Sequence, residues 1–133
     1  TMTGTTNREP FPDLTETERE RHKGETILPN LMVSLAAEHI AAHVLEPLSA
    51  NRTRVTFQIL FARDEVSKAG FDPSDAAELW DITNRQDWAV CELVQRGMNS
   101  RSYDQGWYAP MEDDSLDPSR WLLPRLNEPT DLR

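Results

Sequence analysis

Asp87 is the residue whose type and place could do chemistry. It lies in Trp80-Asp81-Ile82-Thr83-Asn84-Arg85-Gln86-Asp87-Trp88-Ala89-Val90-Cys91-Glu92, a stretch with helical spacing. At about 100° per residue, the face centred on Asp87 also carries Ala76, Trp80, Thr83, Val90, Cys91 and Val94. Glu78, Asp81, Arg85 and Glu92 fall away from that centre. A carboxylate in an apolar stripe is costly unless it is paired, protonated or bound to a metal. Two readings follow. Asp87 is either a buried carboxylate paired with an Arg or with backbone donors, or a metal ligand or general base. On the second reading Thr83, Asn84 and Gln86 stand where they could orient it. One Asp cannot hold a catalytic metal. Two more ligands, most economically two His of a facial triad with open positions for iron and oxygen, would have to come from outside this chain.

Other reactive side chains carry weaker signals. His39 and His43 have the i, i+4 spacing of metal ligands on a helix, but the acid Glu38 precedes the first His, so the His-Glu-x-x-His order is absent. On a strand the pair would share a face about 13 Å apart, too far for one metal. They read as two ordinary, partly exposed histidines, and His22 as a surface residue. Cys91, one turn from Asp87, reads as a small core residue rather than a nucleophile. There is no Ser/His/Asp signature, phosphate loop or Gly-rich fingerprint.

The elements that must position these residues are legible in outline. Residues 1–25 read as loop with a short helix, started by the capping-box spacing of Thr15 and Glu18. Residues 26–62 read as antiparallel strands. One spans 27–35, with Pro29 at its start or edge, and the clearest is 52–62, with Thr53, Val55, Phe57, Ile59 and Phe61 on one face. Residues 36–45 are Ala-rich, which favours helix. A meander needs them as the middle strand, with Ile40, Ala42 and Val44 on one face, and a strand is the expectation here. Residues 46–51 read as a turn. Residues 72–97 form a long helix, capped by Asp72, begun by Pro73 and stopped at Gly97. Residues 98–133 read as an irregular tail held by Trp107, Tyr108 and Trp121, with a short helix near Trp121. The fold class expected is α+β, with the helix packed across the sheet.

Composition narrows the function classes. With 14 basic and 23 acidic residues, the net charge is −9, which argues against nucleic acid as a partner. No apolar run approaches the roughly 20 residues of a membrane span, and no signal segment opens the chain. The one cysteine excludes an internal disulfide and any cysteine-built metal site from this chain alone, and fits a reducing, cytoplasmic setting.

Several spaced blocks resemble one family. Leu28-Pro29-Asn30-Leu31-Met32-Val33-Ser34-Leu35, Leu45-Glu46-Pro47-Leu48, Asn51-Arg52-Thr53-Arg54-Val55 and Gly70-Phe71-Asp72-Pro73-Ser74-Asp75 are similar to the end of the large (alpha) subunit of Rieske-type non-haem iron oxygenases. The strongest block is Leu79 to Glu92 with Gln95-Arg96-Gly97, and Ser100-Arg101-Ser102-Tyr103 with Gly106, Pro110 and Glu112 continues it. The resemblance covers roughly residues 20–113. It implies a partial helix-grip (START-like) fold, antiparallel strands followed by one long C-terminal helix. It also implies that Asp87 is the carboxylate ligand of a mononuclear Fe(2+) that activates O2. Trp80, Thr83, Asn84 and Cys91 would lie near the metal or the substrate pocket, with Val90 and Val94 supporting it.

The same resemblance implies what this chain lacks. The Rieske [2Fe–2S] motif and the two iron-binding His have no counterpart here, so they belong to an N-terminal part of the large subunit. A reductase or ferredoxin electron donor and a homotrimer are the other implied partners. Truncation, a split gene or a partial reading frame would each leave such a piece. Hydroxylation or oxidative demethylation of an aromatic or quaternary-amine substrate is the implied chemistry. The Asn-Arg-Gln-Asp-Trp form of the motif looks most like members that act on glycine betaine and related amines. Two rival readings are a non-catalytic helix-grip module that binds an apolar ligand or a partner, and a degraded remnant without function.

Overall fold

A computed structural model describes residues 1–126 of the chain. Its elements run α1 (Glu16–Arg19), β1 (Lys23–Ile27), β2 (Leu31–Leu35), β3 (Ile40–Ser49), β4 (Arg52–Leu60), α2 (Arg63–Val66), α3 (Ser74–Met98) and α4 (Asp113–Leu126). The four strands form one antiparallel sheet in the order β1-β2-β3-β4. This is the expected α+β arrangement, a meander followed by a long helix.

Locally, the chemistry of the residues explains most boundaries. Thr15 and Glu18 close the reciprocal capping box that starts α1. The strand expected over 27–35 is β2 alone, from Leu31, and Ile27 instead ends β1, which starts at Lys23 in the stretch expected to be loop and short helix. The cis Leu28–Pro29 bond and Asn30 turn the chain between β1 and β2. Asn30 then ties that turn to β3, accepting from the Leu45 amide at its backbone carbonyl (2.8 Å) and donating Nδ2–H to the Leu45 carbonyl (2.9 Å).

β3 begins only at Ile40, because residues 36–39 make a tight turn in which the Ala36 amide donates to the His39 carbonyl (3.0 Å). Helix propensity of the alanines loses to sheet pairing on both sides of β3. That strand also absorbs the turn expected over 46–51, running to Ser49. Pro47 is tolerated because it lies beyond the end of β2, where β3 pairs with β4 alone and the register shifts between Pro47 and Ser49. The turn proper is only Ala50 and Asn51.

The face of the sheet that meets α3 is the one on which Val55, Phe57 and Ile59 of β4 point together. Ile40, Ala42 and Val44 do share a face, but the helix meets the other one. There Ala41, His43 and Leu45 stand beside Ile59, Phe57 and Val55 of β4. The buried apolar residues are Ala41, Ala42 and Ala76, and no large side chain is fully buried among the described residues.

α3 begins one residue later than the sequence suggested. Pro73 is the capping residue, and Asp72 accepts from the Ser74 amide (2.9 Å). The helix runs 25 residues to Met98. The tail is more regular than expected. α4 spans 14 residues with Pro118 and Pro124 inside it, although each proline removes a backbone donor. Arg125 steadies its end, stacking on the Trp121 ring at 4.0 Å and donating to the Trp121 carbonyl (2.6 Å). The part of the expected tail beyond residue 126 lies outside the described residues.

Candidate functional site

Two strand-side histidines meet two helix residues, and this contact organises the site. His39 and His43 are four apart, as are Trp80 and Asn84 on α3. The Trp80 Nε1–H donates to His39 Nε2 at 2.9 Å. Indole nitrogen is only a donor, so His39 Nε2 holds a lone pair and Nδ1 carries the hydrogen, which it donates to Glu38 Oε1 at 3.1 Å. His43 Nε2–H donates to Asn84 Oδ1 at 2.9 Å.

His39 is 3 % exposed, not the partly exposed residue expected. Burial pushes its pKa below the ordinary 6.5, the bonded Glu38 pushes it back up, and the Arg8 charge adds to the lowering. Trp80 gathers all three histidines of the chain. Its ring centroid lies 6.2 Å from His22, 6.4 Å from His39 and 5.9 Å from His43. Phe57 completes the cluster at 5.9 Å from Trp80.

Below this contact, sheet and helix diverge around a cleft of about 940 Å3. Met32 and His43 line it from the sheet, and Trp80, Asn84, Asp87 and Cys91 from α3. Asp87 is therefore on the helix face that looks toward the sheet, as its spacing predicted. It is not packed there. Asp87 is exposed, and among the described residues it makes no hydrogen bond or ion pair. The face is covered only as far as Asn84, so the expected burial of the carboxylate is corrected.

The other expected site residues divide. Trp80 is half-buried and central. Asn84 is 6 % exposed, but its carbonyl oxygen is engaged by His43 rather than by Asp87. Thr83 is half-buried and does not line the cleft. Cys91 and Val90 line the cleft but are exposed, so Cys91 is not the core residue expected. Val94 is exposed and outside the lining. Of the tryptophans, Trp80 and Trp88 reach the cleft, while Trp107 is exposed elsewhere.

Sequence reasoning missed His43 as a wall of the site. The signal was its parity. His43 alternates with Ala41 and Leu45, opposite Phe57, on the parity that pairs with the apolar face of β4. It also missed Glu25 and Asp117, which add carboxylates to the cleft.

Among the described residues, no three His, Cys, Asp or Glu side chains come together in a way that could hold a metal ion. Asp87 offers one hard oxygen donor that suits iron, and the remaining donors of such a site are not among these residues.

At the other end of α3, Arg8 from the N-terminal arm grips Asp75 through two bonds, Nη1 to Oδ1 (2.6 Å) and Nη2 to Oδ2 (2.9 Å), and lies 5.2 Å over Phe61. Arg8 holds the Asp75 carboxyl below its ordinary range.

The chain is similar to several known proteins. An 82-residue stretch is 35 % identical to the glycine betaine monooxygenase oxygenase subunit of Pseudomonas aeruginosa, covering 62 % of this chain and 19 % of that protein. The subunit of the same name from Chromohalobacter salexigens is 34 % identical over 82 residues, 62 % of this chain and 18 % of that protein. The chloroplastic choline monooxygenase of Arabidopsis thaliana is 28 % identical over 91 residues, 65 % of this chain and 20 % of that protein. The chain thus spans about a fifth of the length of these curated relatives. No solved structure matches. The ring hydroxylating alpha subunit family, in its catalytic domain, matches residues 1–127. Matched over nearly its whole length, the chain belongs to this family of ring-hydroxylating alpha subunits.

Proposed function

We propose that this chain is the helix-bearing part of an oxygenase catalytic domain and that Asp87 supplies the carboxylate ligand of a mononuclear iron. The observation that carries this reading is a carboxylate on the wall of a large cleft that makes no hydrogen bond or ion pair among the described residues. Iron bound there would supply oxygen activation. The chain's own residues do the rest. Asp87 offers an oxygen donor, Trp80 and Trp88 offer ring faces, and the His39 and His43 bonds hold α3 against the sheet.

The substrate class proposed is a quaternary amine. Two indole rings with Glu25, Asp87 and Asp117 around one cleft suit a cation better than a neutral aromatic ring. The names of the relatives point the same way. Hydroxylation or demethylation of such a substrate needs electrons, which this reading draws from a [2Fe–2S] cluster elsewhere in the large subunit and a reductase or ferredoxin.

The reading also requires further polypeptide to supply the two His ligands. The exposed surface supports this. At 10975 Å2 it exceeds the roughly 7,100 Å2 that size scaling gives for a compact monomer of 15.2 kDa. Val90, Leu93 and Val94 of α3 are each more than half exposed, as expected of residues that a neighbouring part of the subunit covers.

The test is Asp87→Ala in the assembled large subunit. Mononuclear iron and oxygen-coupled product formation should be lost while the Rieske spectrum persists. Retained iron with retained turnover would overturn the assignment. The 133-residue chain alone should bind iron(II) only weakly, and tight stoichiometric binding would also contradict it.

A further inference from the structure

We propose that Glu38, His39 and Trp80 form a pH-sensitive latch, one of the contacts between α3 and the sheet, that is closed while His39 is neutral and opens when His39 takes up a second proton, leaving the His43–Asn84 and Arg8–Asp75 contacts in place. The argument begins with donors and acceptors. Trp80 Nε1 can only donate, so its bond to His39 Nε2 exists only while that nitrogen is unprotonated. His39 Nδ1–H already donates to Glu38. A second proton has one place to go, Nε2, where it would face the indole N–H. Two donors then oppose each other at a ring that is 3 % exposed.

The surroundings set the direction of the response. Glu38 in the preceding turn favours the protonated ring. Arg8 of the N-terminal arm and the α-amino group of Thr1 oppose it, and burial opposes it most. The faces presented by the residue after β4 and by α3 are Phe61, 5.9 Å away, and Trp80, neither of which is charged. The folded ring resists protonation relative to a released one. The latch is therefore complete above about 6.5, the ordinary histidine value, and is lost as pH falls through the lower value of the latched state.

α3 carries both Trp80 and Asp87, so release would loosen the cleft wall. That consequence rests on the role proposed above for Asp87, whereas the latch itself does not.

The test follows the Trp80 indole N–H by nuclear magnetic resonance on the full 133-residue chain, from about pH 7.5 to about pH 5. Its protection against solvent exchange should fall about fivefold or more as His39 protonates, the factor carried by one neutral hydrogen bond. In His39→Gln an amide oxygen can accept at every pH, so protection should persist into acid. Glu38→Gln should move the loss to lower pH, and His22→Gln should leave it in place.

Persistence of the bond in acid in the unaltered chain would overturn the latch. So would an unchanged acid transition in His39→Gln, or its disappearance in His22→Gln. If His39→Gln fails to fold, the ring nitrogen shifts of the unaltered chain decide. A hydrogen on Nε2 at neutral pH would overturn the proposal. No iron is present in this experiment, so its failure removes the latch and leaves the proposed role of Asp87 standing.

Discussion

The two halves of α3 carry similar apolar spacing and meet different fates. From Ser74 to Asn84, Ala76 is fully buried, Trp80 is ringed by histidines and Asn84 is bonded to the sheet. From Arg85 to Met98, Trp88, Val90, Leu93 and Val94 are all exposed. The pattern of a helix states which face could be buried. Only what lies opposite decides whether it is. The sheet packs on the first half, and the second projects beyond that contact along the cleft, with Asp87 at the transition. A carboxylate there escapes the burial cost that its spacing suggested and remains free to bind.

This contrast can be tested by paired substitutions on the two halves. Trp80→Ala removes the hub of the aromatic cluster and should cost about 3 kcal/mol in urea unfolding of the chain. Trp88→Ala, two turns further on and 42 % exposed, should stay within about 0.5 kcal/mol. Equal losses would mean that both halves are packed in solution and would break the comparison.

Arg8→Met comes next, because it takes the grip from the start of the helix. The Arg8 side chain is 7 % exposed but Asp75 is 39 % exposed, so solvent screening limits the cost to about 1.5 kcal/mol at neutral pH. The sign with pH is definite. Arg8 lowers the Asp75 pKa from its ordinary 3.8. This stability is present above that value and is lost as pH falls through the lowered one. Unfolding curves of the variant and the unaltered chain should therefore draw together in strong acid. A gap that stays constant down to that range would show that the pair contributes by packing alone.

Asn84→Ala should cost about 1 kcal/mol by leaving the His43 Nε2–H without its protein acceptor beside the cleft. The smallest effect belongs to the projecting half, where Val90→Ser should change stability by no more than about 0.5 kcal/mol. The same substitution should weaken association with the rest of the large subunit if that part covers this face. Unchanged association would shift the proposed interface away from Val90.

Much of the architecture was legible in the sequence. The capping box at Thr15 and Glu18, the alternation of β4 and the extent of α3 are each encoded within a few neighbouring residues, where local sterics and periodicity suffice. The division between β1 and β2 and the extension of β3 through Pro47 were less legible. Each depends on which strand lies alongside. The helix at 113–126 was obscured by Pro118 and Pro124, which by local rules argue against it.

By itself, then, the sequence determined the element types, the family and the shared helix face of Trp80, Asp87 and Cys91. Those follow from spacing along one chain direction. Tertiary structure alone decided which face of β3 meets the helix, that His39 and His43 bond to Trp80 and Asn84, and that Asp87 stands exposed at a cleft. Burial, tautomer and the freedom of a carboxylate are properties of what is opposite in space, and residues 41 positions apart in the chain supply it.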